Sequence, residues 1–262
     1  MSPTRPSVTA VRQLSPYEQL AARYDALLGD RAFARLGRAY ARIERHYGLA
    51  FRSAADVGCG TGTFVAQLRA RGIHPVWGVD RSPHMLARAL AKNRGNGARF
   101  LLQDLRTLRL PHQVDLLTCQ FDTLNYLLRP PELHTALRAF ARALPPGGHT
   151  VFDMIVRTGP GAAPLRRVRV ERRGPQGTAY ETHVQRAYRT EEITAALTGS
   201  GFHLRGAHPV PEGHPALRLV FVARKADTAV SPRSGRSPSP SWSPRSAPRP
   251  PSTPAPNGPS TH

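Results

Sequence analysis

The stretch Ala54–Phe64, A-A-D-V-G-C-G-T-G-T-F, constrains the fold of this chain more than any other. A short apolar run (Ala54, Ala55, Val57) ends in glycines at alternate positions, Gly58, Gly60 and Gly62. Phe64, Val65 and Leu68 then recur at near-helical spacing. Strand, tight turn and helix N-terminus in that order make the opening unit of a nucleotide-binding α/β fold. Glycine serves in such a turn because the backbone angles penalise a Cβ and because a ligand must lie directly on the peptide. Asp80 stands twenty residues past Gly60, closing a second apolar run, Pro75–Val79. A carboxylate at that strand tip is placed to accept hydrogen bonds from both hydroxyls of a ribose. The turn is not shaped for a pyrophosphate. A dinucleotide fingerprint wants its third glycine where Thr63 stands, and here the third glycine comes one residue early.

Further blocks follow in order: G-V-D-R-S-P-H-M-L at Gly78–Leu86, L-Q-D-L at Leu102–Leu105, and V-D-L-L-T-C-Q-F-D-T-L-N-Y-L at Val114–Leu127. L-P-P-G-G fills Leu144–Gly148, and Y-R-T-E-E-I leads to G-F across Tyr188–Phe202. With these blocks the chain resembles, from about Tyr17 to Arg224, the class I S-adenosylmethionine-dependent methyltransferases of small-molecule type. The resemblance implies an α/β fold with a doubly wound, mostly parallel seven-stranded sheet, an N-terminal helical lid and an inserted β-hairpin. It also implies a late antiparallel strand that closes the sheet.

Global properties bound this reading. At 262 residues and 40% hydrophobic, the chain can bury one good-sized core with room for an appendage. The net charge of +20 invites a nucleic-acid partner. Yet lysine occurs only at Lys92 and Lys225, and the arginines spread over almost every expected helix. That distribution, with abundant Ala, Gly and Pro, fits codon bias in a GC-rich genome, so nucleic acid is compatible with the charge but not favoured by it. Two cysteines, Cys59 and Cys119, read as reduced thiols. No apolar run approaches the ~20 residues of a membrane span, and the first residues lack an apolar core of signal-peptide length. A cytoplasmic protein is the expectation.

Three segments follow from pattern and composition: a flexible N-terminus over 1–14, a catalytic domain over 15–225, and a Pro/Ser/Arg-rich tail over 226–262 expected to be disordered. Ser15-Pro16-Tyr17-Glu18 predicts a helix start with a capping box, and Leu20, Tyr24, Leu27 and Leu28 its apolar face. A second helix is expected after Asp30, with Phe33, Leu36, Tyr40, Ile43 and Tyr47 along one side and Gly48 as its stop. Strands are expected over 53–57, up to Asp80, over 99–103, 114–121 and 149–156, with helices between them and over 131–144. Alternation over 166–188 predicts the hairpin, 190–199 the last helix and 216–224 the last strand.

Methyl transfer from a sulfonium needs alignment and exclusion of water more than acid catalysis, so the cofactor site should be legible and the acceptor site less so. For S-adenosylmethionine, the resemblance assigns Gly58, Cys59, Gly60 and Gly62 to the methionyl part, Asp80 and Arg81 to the ribose strand tip, and Gln103, Asp104 and Leu105 to adenine. Met85 and Phe121 complete the apolar walls, and Tyr17 touches the cofactor from the lid. The position of Asp104 also permits a helix N-cap, but the resemblance favours the adenine role. Asp56, costly to bury alone, is expected to accept from loop amides or a cofactor-side water. For the acceptor, Asp122, Asn125 and Tyr126 lie off the carboxyl end of the fourth strand, where ligands of open α/β sheets bind. Asp122 fits a base or a cap. His183 reads as a solvated surface residue near the mouth, and no metal site is expected. A small-molecule N or O acceptor is the leading reading. An RNA or protein methyltransferase gripping its substrate with Arg166, Arg167, Arg169, Arg172 and Arg173, or a non-catalytic cofactor-binding module, is the alternative.

Overall fold

Short apolar runs separated by helices give a parallel sheet covered on both faces, and the chain is built that way. The computed structural model describes residues 11–159, 164–174, 177–210 and 218–227. The tail beyond Asp227, the first ten residues, the Pro/Gly-rich loop before the last strand and the centre of the hairpin turn lie outside them.

In chain order the elements are β1 (Val11–Leu14), α1 (Tyr24–Tyr47), β2 (Ala54–Val57), α2 (Thr63–Ala70), β3 (Val76–Asp80), α3 (Pro83–Lys92), β4 (Arg99–Leu102) and β5 (Leu116–Cys119). Then come α4 (Pro130–Ala143), β6 (His149–Ile155), the hairpin strands β7 (Leu165–Gly174) and β8 (Gly177–Arg186), α5 (Thr190–Thr198), β9 (Phe202–Pro209) and β10 (Arg218–Lys225). The main sheet has the order β4-β3-β2-β5-β6-β10-β9. Strands β2 to β6 run parallel, and β10 is antiparallel to both of its neighbours.

The expected sheet is therefore present, with two differences at its end. Strand β9 has no counterpart in the sequence reading, because F-H-L-R-G-A-H-P alternates too weakly to stand out from a loop. Strand β10 consequently sits between β6 and β9 and does not close the sheet.

Two helical layers supply the core. On one face Leu36, Tyr40 and Ile43 of α1 meet Val65 and Leu68 of α2 and Leu86 of α3. On the other, Leu133, Leu137 and Phe140 of α4 meet Ile193 and Leu197 of α5. The expected stripe of the second N-terminal helix is the buried one, and Gly48 ends that helix in the left-handed region (φ 59°). The expected break near Asp30 falls at Gly29, whose φ of 69° and ψ of 157° kink α1. Leu27, expected on an apolar face, is 63% exposed.

The N-terminal segment departs most from expectation. Residues Val11–Leu14 are not free: they form a third strand parallel to β8, completing a small sheet β1-β8-β7. No helix starts at Ser15. Glu18 does accept the Ser15 N–H at 3.1 Å, half of a capping box, but Tyr17 takes φ 67° and the chain turns instead. The cause is Glu181 of β8, fully buried, whose carboxylate accepts the backbone N–H groups of Tyr17, Gln19 and Leu20. Those donors serve a tertiary partner and so leave the local helix unmade.

Candidate active site

The carboxyl ends of β2, β3 and β5 open into a cleft of about 1020 Å³ including its open mouth, bounded on one side by Tyr17 and Tyr24. Its floor is the glycine turn. Gly58 and Gly60 adopt φ of 76° and 54°, and the Gly58 and Cys59 N–H groups both bond Val79 O of β3. Asp80 joins turn and strand tip, accepting the Gly60 N–H at 2.9 Å and the Ser82 N–H at 2.8 Å. Burial raises its carboxyl above the usual range, against the pull of those two N–H groups.

Most of the expected cofactor residues line this one cleft: Tyr17, Asp56, Gly58, Cys59, Gly60 and Asp80 on its floor and lid side, then Arg81, Met85, Gln103, Asp104, Leu105 and Phe121. Gly62 does not. It caps α2, and a Cβ there would stand 2.6 Å from Asn93 Nδ2 and 3.0 Å from Ala89 Cβ, so its role is close packing of α2 on α3. Asp104, while lining the cleft, also caps the short 3₁₀ turn after β4. Arg106 donates to it from its backbone N–H, Nε and Nη2 at 2.7–2.9 Å, which holds the carboxyl below its ordinary range. Asp56 takes a partner other than the expected amides: Thr118 Oγ1 of β5 donates to it at 2.7 Å.

The acceptor side divides. Tyr126 lines the cleft, while Asp122 and Asn125 are turned to structural work. Asn125, fully buried, donates to Ile155 O and Arg186 O and accepts the Ile155 N–H, tying β6 to β8. Asp122 is ion-paired with Arg218 and accepts from Gln185 Nε2 at 2.7 Å. It follows Phe121 in the left-handed region (φ 53° and 50°), and Asp153 holds both residues there by accepting their N–H groups at 2.8 and 3.0 Å. Arg218 and Gln185 thus engage both of its carboxylate oxygens.

His183 overturns its expectation. It is 6% exposed rather than solvated, with Nδ1 2.9 Å from the Tyr126 hydroxyl and Nε2 3.2 Å from Glu181. Tyr126 lies 2.6 Å from the Tyr17 hydroxyl. A signal for this was present in β8, where Glu181, His183 and Gln185 alternate on one face, three polar residues in a row at strand period. Gln120, at the end of β5, also lines the cleft, and its buried Nε2 has no hydrogen-bond partner.

Residues 54–148 match the model of a methyltransferase domain. The ubiquinone biosynthesis O-methyltransferase of Pseudomonas fluorescens (strain Pf-5) is 31% identical over 119 residues, 44% of this chain and 49% of its own length. The chain spans about half the length of the curated relatives it matches. Among solved structures, an S-adenosylmethionine-dependent methyltransferase from Clostridium acetobutylicum ATCC 824 superposes with a TM-score of 0.67 at 22% identity, covering 80% of this chain and 99% of that one. The sugar N-methyltransferase KedS8 from Streptoalloteichus sp ATCC 53650 gives 0.62 at 21% identity, covering 86% and 97%. These likenesses establish the methyltransferase fold well beyond the matched segment. Among the described residues, no cluster of His, Cys, Asp and Glu is placed to hold a metal, and no helix is long and apolar enough to cross a membrane.

Proposed function

We propose that this chain transfers the methyl group of S-adenosylmethionine to a small-molecule acceptor held between the glycine turn and the Tyr17 segment. One observation carries the reading: Asp80 reaches back to the Gly60 N–H, so the bare turn and the strand-tip carboxylate form one preorganised cradle. The residues present fit the cofactor. Gly58 and Gly60 would hold the methionyl part on bare backbone, and Asp80, at the strand tip beside them, would hold the ribose. Met85 and Leu105, which line the same cleft, would flank the adenine, with Asp104 held by Arg106 beside them. The orphan Nε2 of Gln120 is a buried donor that a bound ligand would satisfy. When bound, the sulfonium supplies the reactive methyl group; the protein aligns the nucleophile with it and keeps water out.

On the acceptor side, Tyr126 and Tyr17 present the phenols that meet the nucleophile. The small-molecule reading is supported by the names of the relatives, an O-methyltransferase of ubiquinone biosynthesis and a sugar N-methyltransferase. Incubation of the protein with methyl-labelled cofactor and a size-fractionated cell extract tests it. Label in the low-mass fraction is expected; label confined to RNA or protein would replace the small-molecule reading with the macromolecular one.

A further inference from the structure

A buried chain of hydrogen bonds runs from the cleft into the protein: Tyr17 hydroxyl, Tyr126 hydroxyl, His183 imidazole, Glu181 carboxylate, at 2.6, 2.9 and 3.2 Å. Its direction follows from its inner end. Glu181 already accepts the N–H groups of Tyr17, Gln19 and Leu20, so the carboxylate stands as the acceptor end of the chain, with the imidazole Nε2 against it. In the Nε2–H tautomer, Nε2 donates to Glu181 and Nδ1 offers its lone pair to the Tyr126 hydroxyl. Tyr126 must spend its single proton on Nδ1. Its oxygen then accepts from Tyr17, whose proton is also committed. Both phenols line the cleft, so at this corner they present lone pairs and no free donor.

We propose that His183 is the final proton acceptor of the reaction, reached through Tyr126, with Glu181 fixing its tautomer, and that the methyl acceptor is consequently an N–H amine or a hydroxyl. The inference rests on the methyltransferase reading and narrows it. The acceptor donates its hydrogen bond to a phenol oxygen, which turns its own lone pair toward the methyl carbon. As that lone pair forms the new bond, the carbon–sulfur pair stays on sulfur and the donor leaves as a neutral thioether. The acceptor's proton passes to the Tyr126 oxygen while the Tyr126 proton passes to His183 Nδ1. Tyr126 ends neutral, and the positive charge lost from sulfur reappears on an imidazolium beside Glu181. Burial pushes the Tyr126 phenol up to about 12 and raises Tyr17 as well, so the phenols relay a proton and do not store charge as phenolates. His183 touches no substrate; it is a positioning and proton-accepting residue that acts through Tyr126.

Nitrogen NMR of the full-length protein with labelled histidine, loaded with S-adenosylhomocysteine, decides the chain's direction. His183, assigned by loss of its signal in His183→Gln, is expected as the neutral Nε2–H tautomer. Tyr126→Phe should move its Nδ1 resonance by removing the donor. An Nδ1–H tautomer, or an Nδ1 signal indifferent to Tyr126→Phe, overturns the relay. In transfer assays on a panel of primary amines, phenols and thiols, methylation is expected on the first two classes. His183→Gln should slow it ~100-fold with cofactor affinity unchanged. Equal rates in His183→Gln, or transfer to thiols alone, overturn it as well. Failure to bind S-adenosylhomocysteine would instead overturn the methyltransferase reading, and the relay with it.

Discussion

Gly58 lies so close against Thr123 that a Cβ on the glycine would stand 2.4 Å from the threonine methyl. The glycine turn after β2 and the loop after β5 are thus packed against each other without slack. Gly58→Ala meets both this overlap and a φ of 76°. Overpacking and left-handed strain together are expected to cost about 2–4 kcal/mol in denaturant unfolding. Adding Thr123→Ala should recover the steric part. A Gly58→Ala protein as stable as wild type would contradict the close packing.

Asp80 holds the Gly60 and Ser82 N–H groups, and its proposed ligand contact comes on top of them. Asp80→Ala is expected to weaken S-adenosylhomocysteine binding by about 10- to 100-fold, the range of a lost charge-assisted hydrogen bond. Calorimetric titration measures this. Unchanged affinity would remove Asp80 from the site.

Arg218 bridges Asp122 and Asp153, all three largely buried. Removing one partner leaves an uncompensated buried charge, so Arg218→Met is expected to destabilise by about 3–5 kcal/mol. Asp122→Asn should lose stability in the same direction while keeping cofactor binding. If Asp122→Asn abolished methyl transfer at full stability, Asp122 would be a base after all.

Asp56 is buried beside Thr118, and burial pushes its carboxyl up to about 7. A carboxyl raised on folding binds its proton more tightly in the native state. The folded chain then holds more protons than the unfolded one between about pH 4 and 7, and stability falls as pH rises through that window. Asp56→Asn carries no such charge. Its stability relative to wild type is expected to rise by up to about 3 kcal/mol from pH 4.5 to 8. Parallel stability curves for the two proteins would show that Asp56 is ionised at ordinary cost.

What the sequence made legible follows from how each feature is encoded. The glycine turn, Asp80 and the alternating strands and helices are local patterns, and they stand where the sequence places them. Long-range hydrogen bonding is not local. Glu181 unmakes the helix expected at Ser15 by taking its N–H groups from 161 to 164 residues away. Strand β1, four residues with three exposed, owes its existence to pairing with β8 and not to any period of its own. The position of Asp122 suits a base or a cap, and its ion-pair partner Arg218 is invisible locally because it stands 96 residues away. His183 looked solvated for want of a visible partner, although the polar face of β8 carried the clue.

The central claim is that the Gly58–Gly60 turn and Asp80 form one cradle for the adenosylated cofactor. Isothermal titration of the full-length protein with S-adenosylhomocysteine tests it most directly. Saturable binding at one site per chain, weakened in both Gly58→Ala and Asp80→Ala, is the predicted result; no heat of binding in the folded wild-type protein would contradict the account.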